Sequence, residues 1–139
     1  MASQLHVSIA VYAGDPVDFM KFRHTLLWFR FSDPTPSFIY HVIGVNPSYE
    51  REMREHDPSK STHKPTIIPV TYLRKPAGKD AIVDLMGKVP IDQKDREYNC
   101  HTWVDFALRA LRDEGYISTE DYEGATDKMV AAIAEAKDE

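Results

Sequence analysis

The chain has 139 residues, of which 42% are hydrophobic and 28% charged, and its formal net charge is -5 at pH 7. This composition predicts one globular domain over residues 1–139 and excludes a disordered or fibrous protein. The negative charge argues against nucleic acid or an anionic membrane surface as a partner. No stretch approaches the roughly 20 apolar residues of a membrane span, and the N-terminus lacks a signal-peptide pattern, so we expect a cytoplasmic protein without an integral membrane segment.

Strand patterns fill the first half of the chain. LHVSIAVYA (5–13) alternates apolar residues, and HTLLWFRF (24–31) and SFIYHVIGV (37–45) predict an antiparallel hairpin around the turn-rich SDPTP. Both hairpin strands are apolar on both faces, which favours central positions in a sheet. TIIPVTYL (66–73) predicts a further strand, and Pro69 favours an edge position for it because proline cannot donate a ladder hydrogen bond.

The segment between these strands, residues 46–65, is polar and contains three prolines. We interpret it as a long loop with one helical turn around YEREMREH, suited to act as a lid or specificity loop. GKDAIVDLMGKV (78–89) predicts a short helix. These patterns and the following helices predict an α+β fold, with an antiparallel sheet of about four to five strands.

Apolar residues recur at helical spacing from Cys100 onward, and Gly115 is expected to end this helix. A last, C-terminal helix is predicted to begin near Ser118 or Thr119. Cys100 is the only cysteine, which excludes an internal disulfide. A lone cysteine is usually a small packing residue, but a thiol at a helix N-terminus has a lowered pKa, and the amides there can bind an oxyanion. A nucleophilic Cys100 would still need a base.

Six histidines are available as that base. His24 and His41 lie in apolar strands, where a buried imidazole must find a partner. If the hairpin pairs them directly, with Trp28 opposite Ser37, both rings lie on one side of the sheet within reach of the helix. His101 should point roughly 100° away from its neighbour around the helix axis, so we expect it to be exposed or to contact substrate.

Three motifs, FRHTLLWF, FIYHVIGV and YNCHTWV, carry a resemblance to a known family. In content and order they resemble the permuted papain-like hydrolases and acyltransferases, the circularly permuted branch of the NlpC-type peptidases that includes the lecithin-retinol acyltransferase group. The resemblance implies one papain-like domain in which Cys100 is the nucleophile, His24 the general base and His41 the residue that orients His24. It also implies that Tyr98 and Asn99 shape the oxyanion and substrate site.

The function hypothesis is therefore a cysteine-dependent hydrolase or acyl or peptidyl transferase. It acts on an amide, ester or thioester of a small molecule or peptide, without cofactor or metal. Thr25 stands where the acyltransferase group has Trp, and Cys-His-Thr where it has Cys-Glu-His, which favours a soluble substrate over a phospholipid or retinoid. Two alternatives stay open: a non-catalytic binding protein of the same fold, and a zinc site with Cys100, His24 and His41 as ligands.

Overall fold

A computed structural model describes residues 4–13, 24–44, 48–95 and 99–135 of the chain. These residues form an α+β fold, as the sequence predicts. The strands are β1 (Leu5–Tyr12), β2 (His24–Phe31), β3 (Phe38–Ile43), β4 (Glu50–Glu55) and β5 (Thr66–Tyr72). The helices are α1 (Lys79–Gly87), α2 (Cys100–Asp113) and α3 (Thr119–Ala134), and a short 3-10 helix covers Pro58–Lys60.

The five strands form one antiparallel sheet in the order β4-β3-β2-β1-β5. The apolar hairpin strands β2 and β3 lie inside the sheet and Pro69 lies in the edge strand β5, so both predictions of strand position are confirmed. The helix that begins with Cys100, α2, packs against β2 and β3, and α3 is the C-terminal helix. Within the described residues, no helix combines the length and apolarity needed to cross a lipid bilayer.

The polar segment 46–65 differs from its predicted structure. Glu50–Glu55 form β4, the second edge strand, instead of a loop with a helical turn. This strand is charged on both faces, so the apolar alternation that marks a half-buried strand is missing from its sequence. The backbone pairing with β3 stabilises it, and its charges suit an exposed edge because they oppose pairing with other chains.

The β2–β3 hairpin is shifted by two residues from its predicted pairing. Trp28 pairs with Ile39, not with Ser37. The linker between the two strands covers residues 32–37 and is longer than the predicted four-residue loop. Side chains alternate between the two faces of a sheet, so a shift by an even number of residues leaves His24 and His41 on a common face. His24 and His41 therefore still meet, diagonally rather than as a directly opposed pair.

The two faces of the sheet bear different side chains. On one face, Tyr40 stacks on Trp103 of α2, with the ring centroids 5.5 Å apart, and belongs to the main apolar core. His41 follows Tyr40 and therefore points to the other face, as does its partner His24. The expectation that both imidazoles lie on the side of the sheet where the helix packs is therefore wrong. That second face carries a smaller apolar cluster of Ala10, Leu26, Trp28 and Ile39.

Two glycines adopt a positive φ where the chain has to turn. Gly115, with φ 80°, follows the last turn of α2 and ends that helix, as predicted. Gly44, with φ 102°, follows β3, and a Cβ atom there would lie 2.8 Å from the backbone oxygen of Ser48. Only glycine fits at position 44 without strain.

Candidate active site

Cys100 is the first residue of α2, and the preceding residue holds the start of this helix in place. The Asn99 side chain accepts hydrogen bonds from the backbone N–H groups of His101 and Thr102, at 2.9 and 3.2 Å. The Thr102 hydroxyl accepts a hydrogen bond from the Asn99 backbone N–H, which completes a capping box. Asn99 is thus the N-cap of α2, and it fixes the backbone that carries the thiol.

The half-buried Cys100 thiol lies between two imidazoles. Burial raises the pKa of this thiol, but hydrogen bonds with His101 and His24, and the charges of both rings, outweigh burial. Together they lower the pKa from the ordinary 9.0 to about 5. At neutral pH the sulfur is therefore a thiolate, the form of cysteine that attacks carbonyl groups and binds metals.

On the side away from the sulfur, His24 contacts a second histidine. Its Nε2 atom lies 2.7 Å from Nδ1 of His41, and the ring centroids are 4.9 Å apart. His24 begins β2 and is half-buried, whereas His41 lies inside β3 and exposes only 5% of its surface. The structure therefore brings Cys100, His24 and His41 together in one hydrogen-bonded series.

The series ends in a carboxylate that the sequence analysis missed. Oε1 of Glu52 lies 2.7 Å from Nε2 of His41, and Nη2 of Arg54 lies 3.0 Å from the same oxygen. Burial lowers the pKa of His41, partly opposed by its hydrogen bond to Glu52. The hydrogen bond from His41 lowers the pKa of Glu52, with a smaller contribution from Arg54. Near neutral pH the pair is a neutral imidazole against an ionised carboxylate.

The expectation that His101 points away from Cys100 is wrong. The side chain is half-buried and hydrogen-bonded to the Cys100 thiol. A rotation of 100° around the helix axis separates the two Cβ atoms, but an imidazole is long enough to span the gap back to its neighbour. His101 thus contributes to the low pKa of the thiol.

Tyr49 is a second neighbour that the sequence analysis missed. Burial raises the pKa of its hydroxyl, and the negative charge of Cys100 raises it further. The side-chain amide of Gln93 holds Tyr49 in place through its backbone, with hydrogen bonds of 3.0 Å to the N–H and 2.7 Å to the carbonyl. The remaining predicted residue, Tyr98, lies outside the described residues.

The arrangement of these side chains differs from that of a metal centre. Both ring nitrogens of His41 already lie within hydrogen-bonding distance of other groups, His24 and Glu52. In the ranges that the structure describes, no group of three or more histidine, cysteine, aspartate or glutamate side chains is placed to hold a metal ion. His41 has no nitrogen left for the third ligand that the zinc alternative requires.

A cleft of about 490 Å³ lies at the other end of the strands, between the β2–β3 linker and the segment after β4. Its lining includes Arg30, Pro36, Glu55 and Lys60. Cys100 instead lies near the opposite end of these strands, beside His24, the first residue of β2, and Tyr49, the residue before β4. The cleft and the thiol are therefore separate features.

Comparison with known proteins places the chain in a family but gives it no characterised relative. No curated protein and no solved structure matches it. One family model, described as a family of unknown function, DUF6540, matches residues 11–118, a range that contains His24, His41, Glu52 and Cys100. The chain therefore belongs to the DUF6540 family.

Proposed function

We propose that this protein is a cysteine-dependent hydrolase or acyl or peptidyl transferase of the permuted papain-like type. Its substrate is a small molecule or peptide with an amide, ester or thioester carbonyl. The observation that carries the proposal is the Cys100 thiol, with a pKa of about 5, in contact with His24, whose other side meets His41. A nucleophile, a base and a group that orients the base define acyl-transfer sites on unrelated folds.

In the first half of the reaction, the Cys100 thiolate attacks the carbonyl carbon and the carbonyl electrons move to its oxygen. The tetrahedral intermediate then collapses and the leaving group departs with a proton from the His24 imidazolium. This leaves an acyl-thioester on Cys100 and a neutral His24. The backbone N–H of Cys100 itself is a donor of the kind that stabilises such an oxyanion, whereas the N–H groups of His101 and Thr102 donate to the Asn99 side chain.

In the second half, neutral His24 removes a proton from water or from an acceptor amine, which attacks the thioester carbon. Collapse of the second intermediate breaks the carbon–sulfur bond and restores the thiolate and the imidazolium. Water as acceptor gives hydrolysis, and an amine or alcohol gives transfer. His41 keeps the His24 ring in position for both proton transfers through the 2.7 Å contact of their nitrogens.

Alkylation of the single cysteine tests whether the thiol is activated. The rate of iodoacetamide labelling is measured by intact mass from pH 4 to pH 9 for the wild type and for His24→Ala. For the wild type we expect the rate to fall as the pH drops through about 5, because acid protonates the thiolate. His63→Ala is the matched control, since His63 is an exposed histidine with no predicted role at the thiol.

Acyl transfer itself is tested with an activated ester, by release of the alcohol and by the mass of the acyl-protein. We expect an acyl adduct on Cys100 that decays with water or an added amine, and no adduct in Cys100→Ser. A thiol that labels only after unfolding, or whose pH profile is the same in His24→Ala as in wild type, would contradict the proposal. That result would favour the non-catalytic binding protein.

A further inference from the structure

Glu52 is held opposite His41 by backbone pairing rather than by side-chain contact alone. His41 and Glu52 are direct partners in the β3–β4 ladder. The start of β4 is also tied to the segment after α1, because Arg51 donates a 2.7 Å hydrogen bond to the Val89 carbonyl and Tyr49 is bonded to Gln93. The carboxylate therefore has a fixed position on the far side of His41 from His24.

The chemistry of the carboxylate determines which nitrogen of His41 carries the proton. An ionised carboxylate can only accept, so Nε2 of His41 must donate the hydrogen bond to Glu52. Burial keeps His41 neutral near pH 7 by lowering its pKa, and a neutral imidazole has only one N–H. Nδ1 of His41 is therefore an acceptor.

The same reasoning then determines the protonation of His24. Because Nδ1 of His41 accepts, Nε2 of His24 must donate across their 2.7 Å contact. Nδ1 of His24 is the nitrogen left for the thiol of Cys100. In the neutral ring it is the lone pair that removes a proton, and in the imidazolium it is the N–H that returns one. The opposite tautomer of His24 could do neither from this position.

We propose that Glu52 is a positioning residue which acts through His41 and sets the His24 tautomer required for proton transfer to the leaving group and from the acceptor beside Cys100. This inference rests on the proposed function and adds a fourth member to the series. In this role Glu52 contacts His41 and takes no direct part in the reaction at the sulfur. Among the described residues, Glu52 and Arg54 of β4 face His41, Cys100 of α2 contacts His24, and Tyr12 of β1 is the strand partner of His24. His101 reaches this group through its contact with Cys100.

Glu52→Gln is the most informative substitution because glutamine keeps the size of the side chain but removes the charge. Its amide can turn an N–H toward Nε2 of His41, which then becomes an acceptor. Nδ1 of His41 would then donate to Nε2 of His24 and move the His24 proton to the nitrogen that faces the thiol. Glu50→Gln, at an exposed glutamate of the same strand, is the matched control for the charge change.

The test combines histidine nitrogen NMR shifts, which report the tautomers, with activated-ester turnover and the pH profile of iodoacetamide labelling. In wild type and Glu50→Gln we expect His41 to be protonated at Nε2 alone. In Glu52→Gln we expect a loss of that signature and a decrease of ester turnover by about tenfold or more, as for the loss of a group that sets a catalytic histidine tautomer. Glu52→Asp, which keeps the charge, should recover part of the turnover.

The outcomes separate this inference from the proposed function. If Glu52→Gln has the same tautomers and turnover as Glu50→Gln while His24→Ala is impaired, Glu52 is not a positioning residue but the cysteine mechanism stands. If Cys100→Ser and His24→Ala leave ester turnover unchanged, the proposed function fails. The NMR shifts would then still show whether Glu52 determines the tautomer of His41, because this measurement does not depend on ester turnover. Thermal melting of each variant separates an unfolded protein from an altered site.

Discussion

The helices α2 and α3 begin with the same local structure but at sites of different chemistry. Each has a capping box: Asn99 and Thr102 exchange hydrogen bonds at the start of α2, as Ser118 and Asp121 do at the start of α3. In α3 the first helical residue is the exposed Thr119. Among the described α-helices, two therefore have an N-terminus capped by a side chain.

The residues around each cap determine what it can do. At α3, Arg74 forms a 2.9 Å ion pair with Asp121, which ties the helix start to the segment after β5. At α2, the first residue is Cys100, and His24 arrives from the sheet to contact it. The comparison teaches that a helix N-terminus contributes amides and a dipole, while the imidazoles of His24 and His101 lower the pKa of the thiol.

Removal of the thiol should have the largest effect. Cys100→Ser replaces a thiolate by a hydroxyl that stays protonated, so we expect ester turnover to decrease by at least about a thousandfold, as is typical for loss of a nucleophile. Thr119→Ser, the equivalent position of α3, is the control and should keep full turnover. Turnover of Cys100→Ser within tenfold of wild type would exclude an acyl-thioester on this residue.

The two imidazoles at the sulfur should differ in effect. His24→Ala removes the base, and we expect ester turnover to fall by about a hundredfold or more. His101→Ala leaves the base in place, so turnover at high pH should be nearly that of wild type. Both variants should raise the midpoint of the labelling profile by about one pH unit or more, because each ring stabilises the thiolate. Equal turnover of the two variants at high pH would contradict this division of roles.

A thiol moved to the other capped helix tests the comparison directly. In a Cys100→Ser background, Thr119→Cys places a cysteine at the first residue of α3. We expect its labelling midpoint to lie at about pH 8, within roughly a unit of the ordinary 9.0, since the carboxylates of Glu120 and Asp121 in the first turn of α3 oppose the effect of the helix terminus on the thiol pKa. A midpoint near that of Cys100 would show that the helix N-terminus suffices and that the histidines are dispensable for activation.

The capping residues should have the smallest effects. Asn99→Ala and Ser118→Ala each remove one capping side chain, so we expect each to lower the free energy of unfolding by about 1 kcal/mol. Urea unfolding measures both. Ser118→Ala should leave the labelling profile unchanged, whereas Asn99→Ala loosens the backbone at Cys100 and should shift it. A shift of equal size in both variants would mean that global stability, not the cap of α2, determines thiol reactivity.

Local patterns in the sequence predicted the parts of the fold that depend on local interactions. The apolar hairpin strands, the edge position of Pro69 and the end of α2 at Gly115 follow from side-chain alternation and backbone preference. The register of the hairpin was wrong by two residues because linker closure depends on several turn residues at once. An error of one residue would have separated His24 from His41.

The parts of the site that the sequence did not predict depend on contacts between distant segments or on side-chain rotamers. Glu52 lies in a run of charges that lacks the alternation of a half-buried strand, and only the pairing of that run with β3 reveals its partner His41. The contact of His101 with Cys100 depends on a side-chain rotamer, which spacing along a helix does not determine. Opposite charges spaced by two in a polar segment, as at Glu52 and Arg54, are the remaining signal of a strand there.

The ladder between β3 and β4 lets the outermost strand determine which side chain lies opposite His41 in the candidate site. A slide of β4 by one residue would bring either Arg51 or Met53 opposite His41, since these flank Glu52 and pair with Val42 and Tyr40. A guanidinium offers no acceptor and a thioether only a weak one, so either displacement would take from Nε2 of His41 the carboxylate on which the proposed proton transfers depend. The register of an edge strand thus determines which side chain completes the candidate site.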